Sequence, residues 1–289
     1  MRIAIIGGSG KMGQWFADFL LKNGQEVVIS GRNEKKLLAV KQQLGVEVAS
    51  SVAAVKSADA VLLSVSIESF EEVVKQISPY VQPEQVVIDI TSIKEFPVAT
   101  MHKHLKTGLV LGAHPLFGPG ARDVKNQNFI LTPTNDEEKA LAQKVKGYLE
   151  TRGAKVSLMT PQEHDEKMAI ILGLSHFIAI VSADTLLSSG KPNQAEAIGG
   201  ITYKVLLTLV ESVVSEDPEL YASLQMNLPD VMEIEDLLQR RAKVWADMVK
   251  NKDRQEFVRQ MKVLRDKLKK GNPDFGKAYQ NMYKLALEL

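Results

Sequence analysis

One octapeptide, Ala113-His114-Pro115-Leu116-Phe117-Gly118-Pro119-Gly120, sets a histidine ahead of two prolines and two glycines. It follows an apolar run from Leu109 to Gly112 and reads as a strand end leading into a fixed, irregular loop, since its prolines and glycines exclude helix and ladder alike. An imidazole there can move a proton near neutral pH. A second group, Asp89-Ile90-Thr91-Ser92-Ile93-Lys94, follows another apolar run, and a third, Gly8-Ser9-Gly10-Lys11-Met12-Gly13, follows the first one. Open parallel sheets put such loops at their carboxyl edge, where ligands bind. Gly8, Ser92 and His114 are therefore predicted to meet in one crevice.

The glycine group has the context its chemistry needs. Arg2 to Ile6 reads as a strand, and Gln14 to Lys22 as a helix with apolar spacing at Trp15, Phe16, Phe19 and Leu20. Gly8-x-Gly10-x-x-Gly13 between them fits the dinucleotide fingerprint: the first glycine for a tight turn, the second for approach of the pyrophosphate, the third for helix packing. The phosphates would face the helix N-terminus. Cofactor binding is assigned to Gly8, Ser9, Gly10, Lys11, Met12 and Gly13, with Ser64 and Lys94 at neighbouring strand ends; a surface cation at a helix start is the plainer reading of Lys94. The second strand, Glu26 to Ser30, ends in Ser30-Gly31-Arg32-Asn33, with no acid to hold ribose hydroxyls. Ser30 and Arg32 suit a 2′-phosphate, so NADP is expected ahead of NAD.

The rest of the first half must position these groups. Strands are expected at Val46 to Ala49, Ala60 to Val65, Gln85 to Ile90, Gly108 to Leu111, Phe129 to Thr132 and Lys155 to Leu158. Helices are expected at Glu34 to Gln43, Ser69 to Ile77, Pro97 to His104 and Glu137 to Thr151. This alternation predicts an α/β fold, a Rossmann-type parallel sheet over residues 1–160. From Pro161 no strand signal remains, and residues 161–289 are expected to form an all-helical domain. It would open with one long helix from Gln162 to Ser189, followed by Tyr203 to Ser215, Pro218 to Asn227, Ile234 to Asn251 and Arg254 to Lys269. That long helix is apolar on nearly all sides, which predicts burial against a second subunit, and its longest apolar run, Met168 to Val181, is shorter than a bilayer span, which predicts a buried helix rather than a membrane one.

Composition agrees with a two-domain globular protein: 289 residues, 45% hydrophobic, 36 Lys+Arg against 35 Asp+Glu. Near-neutral charge gives no basic field for nucleic acid, and the absence of cysteine excludes thiolate metal sites and disulfides. The N-terminus does not read as a signal peptide, so a cytoplasmic protein is expected.

Five groups together resemble the prephenate/arogenate dehydrogenase family, NAD(P)-dependent enzymes of tyrosine biosynthesis, and stand in family order. They are Gly8 to Gly13, Asp89 to Lys94, His114 to Pro119, His164-Asp165-Glu166-Lys167-Met168-Ala169 with His176 beyond it, and Asp217-Pro218-Glu219-Leu220-Tyr221-Ala222. The resemblance implies oxidative decarboxylation of a cyclohexadienol, with a hydride leaving the hydroxyl-bearing carbon while His114 takes the hydroxyl proton. Ser92 would hydrogen-bond both the histidine and the substrate hydroxyl. An imidazole of ordinary pKa, near 6.5, then predicts that turnover falls below that pH. No metal is expected.

The resemblance also implies that His176 and Lys204 contact substrate and that the C-terminal helices join a homodimer. His164, some 18 Å from His176 along a straight helix, is expected to be structural. The chain departs from the family pattern at Ser212, where many members carry an arginine that looks like the anchor for the ring carboxylate. Lys204, Arg240, Arg241 and Arg122 are candidates to replace it, and the choice among prephenate, arogenate and an amino-substituted analogue stays open. No β-rich ligand-sensing module is expected after the helices. Two alternatives use the same plan: a β-hydroxyacid dehydrogenase or related NADP-dependent reductase working through Lys167, and a non-catalytic nucleotide-binding relative.

Overall fold

The computed structural model describes residues 1–190 and 198–287. By internal contacts the chain divides into two compact units, Met1–Met168 and Ala169–Leu289. The first turns of the long helix, Pro161–Met168, thus belong to the first unit.

In that unit, eight strands form one sheet in the order β3-β2-β1-β4-β5-β6-β7-β8. They are β1 (Arg2–Ile6), β2 (Glu26–Ser30), β3 (Glu47–Val48), β4 (Ala60–Leu63), β5 (Val86–Asp89), β6 (Leu109–Pro115), β7 (Asn128–Thr132) and β8 (Lys155–Leu158). The strand order reverses between β1 and β4, the switch point at which open α/β sheets form their ligand crevice. Burial on both faces explains the continuous apolar strands. Ile5 packs with Phe16, Leu20, Ile29, Leu111 and Leu131 on one side. Ala4 and Ile6 pack with Val61, Phe70, Val74, Val87 and Met101 on the other.

Six helices join these strands: α1 (Lys11–Lys22), α2 (Glu34–Leu44), α3 (Ser51–Lys56), α4 (Ile67–Ile77), α5 (Glu95–His104) and α6 (Asp136–Glu150). Their starts are locally encoded. Asn33 accepts from Lys36 N at 2.9 Å, and Asn135 accepts from Glu138 N at the same distance; each satisfies an end N–H the helix cannot. The short α3, capped by Ser50, was not expected, since six residues carry too little periodicity to read.

Two expectations about the sheet need correction. The strand expected to stop at Leu111 runs on through His114 to Pro115, because it gains an antiparallel neighbour: His114 lies opposite Ile130 and Pro115 opposite Phe129. Leu116 N donates to Asn128 O at 2.9 Å, which leaves Pro115 at the alternate position whose missing N–H β7 does not need. The sheet is also not wholly parallel, since β7 opposes β6 while β8 runs parallel to β7.

The long helix spans Pro161–Ser188, 28 residues, and by length and composition alone it could cross a membrane, although the apolar run Met168 to Val181 within it is shorter than a bilayer span. Its middle turn, Ala169–Leu174, is π-helical. Gln225 Nε2 donates to Gly173 O at 3.0 Å, satisfying a carbonyl within that turn. Within the single chain little of it is buried. From Ala169 to Ser188 only Ala169, Gly173 and Ala179 are buried, while Ile170, Ile171, Ile180, Val181 and Leu187 are exposed. The described remainder of the second unit comprises helices Ile201–Val214, Pro218–Asn227, Val231–Lys250, Arg254–Gly271 and Ala278–Leu287.

Candidate active site

The sheet register lines up the predicted loops. Ile6 pairs with Leu63, Leu63 with Asp89, and Asp89 with Gly112 across four parallel strands. Gly7, Ser64, Ile90 and the last residues of β6 therefore emerge along one edge.

At the β1 end, the residue that makes the tight turn is Gly7, with φ of 89°; the role expected for Gly8 falls one residue earlier. A Cβ on Gly7 would lie 2.0 Å from Ser64 O, and one on Gly8 would lie 2.6 Å from Ile29 Cβ. Gly13 is equally tight, with a Cβ position 2.5 Å from Gly7 O. Gly10 caps α1 without any side-chain hydrogen bond, which leaves the opening turn's N–H groups to an anion. The cradle fits a dinucleotide phosphate. Ser9 and Met12 are partly buried, and Lys11 is exposed.

Ser30 plays a different part from the one expected. It is buried, its hydroxyl shares a hydrogen bond with Ser51 at 2.8 Å, and its carbonyl accepts from both Gly7 N and Gly8 N. Ser30 thus pins the glycine turn from beneath, and of that pair only Arg32 is exposed.

At the β6 end, His114 is 4% exposed, and its Nδ1 lies 2.8 Å from Nε2 of the fully buried His164 on α7 (Pro161–Met168). His164 Nδ1 lies 2.6 Å from Asp165 Oδ1. Asp165 sits over the start of α5, accepting from Lys94 N at 2.7 Å and from Glu95 N at 2.9 Å, a placement a helix N-terminus favours for an anion. These contacts fix the protons. The Asp165 carboxylate can only accept, so His164 carries its proton on Nδ1 and accepts on Nε2. His114 must then donate from Nδ1, which leaves a lone pair on Nε2. Burial pushes His114 well below the ordinary histidine value, and the neighbouring His164 and Lys94 push the same way. Burial also lowers His164, against the hydrogen bond to Asp165.

Two assignments change accordingly. Among the described residues, the partner of His114 Nδ1 is His164 and not Ser92, which stands partly buried in the loop after β5. Lys94 is neither a surface cation nor poised for phosphate: it is fully buried, ion-paired with Asp89 and donating to Ala113 O at 2.7 Å. His164 was read as structural; the adjacent His-Asp pair at a helix start was the available signal for its role.

Of the remaining candidates, all but Arg122 and Lys167 lie in the second unit. His176 packs edge-on against Tyr221, ring centroids 4.9 Å apart, and its buried Nδ1 has no hydrogen-bond partner among the described residues. Burial lowers its pKa. Lys204 and Ser212 are exposed on helix Ile201–Val214, with Ser212 Oγ donating to Leu209 O at 2.8 Å. Arg122, Arg240 and Arg241 are also exposed. Lys167 is exposed, its Nζ 3.3 Å from Glu163 O.

Comparison with known proteins decides the family. Residues 16–158 match the family model described as prephenate dehydrogenase, nucleotide-binding domain, and residues 160–263 match prephenate dehydrogenase, dimerization domain. The chain belongs to the prephenate dehydrogenase family. It is 35% identical over 266 residues to a probable arogenate/prephenate dehydrogenase of Methanocaldococcus jannaschii, covering 91% of this chain and 60% of that one. It is 29% identical to the T-protein of Haemophilus influenzae over 92% of this chain and 66% of that one. The chain thus spans less than two thirds of either relative's length. Its fold matches the crystal structure of prephenate dehydrogenase from Aquifex aeolicus in complex with hydroxyphenyl propionate and NAD+, with TM-score 0.77 and 23% identity over 94% of this chain and 98% of that one.

Proposed function

We propose that this family member is an oxidoreductase that oxidatively decarboxylates prephenate or arogenate in tyrosine biosynthesis, with His114 as general base. The observation that carries the reading is the Asp165–His164–His114 chain, which ends in an unprotonated Nε2 at the sheet's carboxyl edge. That nitrogen takes the proton of the substrate hydroxyl. Its ring carbon gives up a hydride, and loss of the ring carboxylate as CO₂ completes an aromatic ring, so the electrons need no metal to hold them. Ser92 is assigned to the substrate hydroxyl rather than to Nδ1 of the base. A bound nicotinamide dinucleotide supplies the hydride acceptor. Gly8, Ser9, Gly10, Lys11, Met12 and Gly13 hold its phosphates, beside Ser64.

The exposed Arg32 and the lack of an acid near it support NADP over NAD. Arg32→Ala is expected to weaken NADP more than NAD, by roughly 1.5–3 kcal/mol; equal affinities for the two cofactors in the parent protein would contradict this. Substrate contacts by His176 and Lys204 rest on the family resemblance, and one by Ser212 on its standing where many members carry the anchoring arginine; single alanine variants that raise KM would support them. The exposed apolar residues of the long helix support a homodimer, and a monomeric mass in light scattering at micromolar concentration would refute it. The deciding assay is turnover of prephenate, arogenate and a 4-amino analogue with each cofactor. Failure on all three would refute the proposed reaction.

A further inference from the structure

The most unusual group in the first unit is Lys94, since a lysine that is fully buried must be matched by partners or give up its charge. Its surroundings are built around it. Gly112 on β6 lets the lysine stem pass, for a Cβ there would lie 3.2 Å from Lys94 Cδ and 2.3 Å from Thr132 Oγ1. The ammonium is paired with Asp89, whose Oδ1 also receives Thr91 N at 2.8 Å, and it donates to Ala113 O, the carbonyl just before His114. Meanwhile Lys94 N donates to Asp165 Oδ1, which holds His164, which holds His114. One residue therefore reaches the histidine from both sides, closing a ring of hydrogen bonds.

The geometry points to Lys94 as a positioning residue for His114: its buried ammonium clamps the end of β6 and keeps the imidazole in the uncharged form that can accept a proton. The inference rests on the reading of His114 as the base. The charged and titratable groups facing His114 are His164 and Asp165 from α7, and Asp89 and Lys94 from β5 and the loop after it. Asp89 and Asp165 favour a protonated imidazole, whereas Lys94, anchored on the adjoining carbonyl, opposes it. Burial acts first on His114, with His164 and Lys94 pushing the same way. Asp165 is spent on two backbone N–H groups and on His164. Asp89 is spent on Lys94 and Thr91.

The test is the titration of His114, followed by imidazole ¹⁵N NMR in the parent and in Lys94→Met, together with the acidic limb of log kcat. Removing a like charge this close should raise the His114 midpoint by about one pH unit or more. The acidic limb should move up by the same amount, so that the rate at a fixed pH on that limb falls about tenfold. Lys94→Met leaves Asp89 without its cation; if that variant does not fold, Asp89→Asn/Lys94→Met removes both charges and should still raise His114, by less, because the ammonium sits on the carbonyl adjoining His114 while Asp89, which works the other way, reaches it only through Lys94. In the parent, lysine ¹⁵N NMR should find Lys94 as an ammonium at neutral pH. A folded variant with an unmoved His114 midpoint, or a neutral Lys94 amine in the parent, would overturn the inference. The titration needs no substrate. A protein that turns over no cyclohexadienol but shows the shift therefore refutes the reaction and leaves the role of Lys94 standing.

Discussion

Asp165→Asn tests whether proton placement, and not mere packing, makes His114 a base. Asp165 accepts three hydrogen bonds, from Lys94 N, Glu95 N and His164 Nδ1. An asparagine can accept on one side only. With its oxygen on Glu95 N, its amide would take the place of Oδ1, facing Lys94 N and donating to His164 Nδ1. That would turn His164 into a donor at Nε2 and His114 into an acceptor at Nδ1, and the proton would then sit on the catalytic Nε2. With the oxygen kept toward His164, the amide would face Glu95 N, leaving a buried donor unmatched at a cost of about 1–3 kcal/mol. Either orientation strands one backbone N–H, and the productive one also exchanges the charge-assisted bond to His164 for a neutral one, about 1–2 kcal/mol weaker, which lowers kcat by roughly 5- to 30-fold. Stability should fall by a similar amount, while cofactor affinity holds, since Asp165 is remote in sequence and contact from the glycine turn. The assay is steady-state kinetics with a urea unfolding curve. A variant that is destabilised yet keeps kcat within twofold would show that the chain from Asp165 only holds the fold.

Two further outcomes follow from the same contacts. Gly8→Ala should destabilise the first unit by about 1–3 kcal/mol through overpacking, because the new methyl would lie 2.6 Å from Ile29 Cβ; an unchanged thermal midpoint would contradict the close approach of β1 and β2. Acid should also weaken the fold. His114 has a folded-state pKa well below 6.5, so the unfolded chain binds a proton first, and stability present above about pH 6.5 is lost as pH falls toward the folded-state value. Urea midpoints measured from pH 7.5 to 5 should decline, and His114→Asn should flatten that decline.

Much of this was legible in the sequence because it is local. The glycine turn, its flanking strand and helix, and the His-Pro group each declare themselves within a dozen residues. Pro218–Asn227 matches its expected bounds because Asp217 and Pro218 encode the start. What was not legible depends on partners far along the chain. That β6 would run through His114 depended on β7, and nothing near residue 114 marks that pairing as antiparallel. Lys94 looks like any helix-start cation until Asp89 and Ala113 O are brought to it. His164 is 50 residues from His114, and only the fold joins them. The long helix was read rightly as continuous, but its exposure within one chain follows from how few helices cover it.

The most direct test of the central claim is turnover by His114→Asn on a substrate the parent uses. Asparagine keeps a polar side chain of similar reach but cannot act as the base. Loss of general-base catalysis should lower kcat by about 10²–10⁴-fold. Cofactor affinity should stay unchanged, since the glycine turn is intact, and the acidic limb of the parent, lying below pH 6.5 because the imidazole is buried, should vanish from the residual rate. Near-parental turnover by a folded His114→Asn protein would contradict the account, and the base would have to be sought elsewhere, beginning with Lys167.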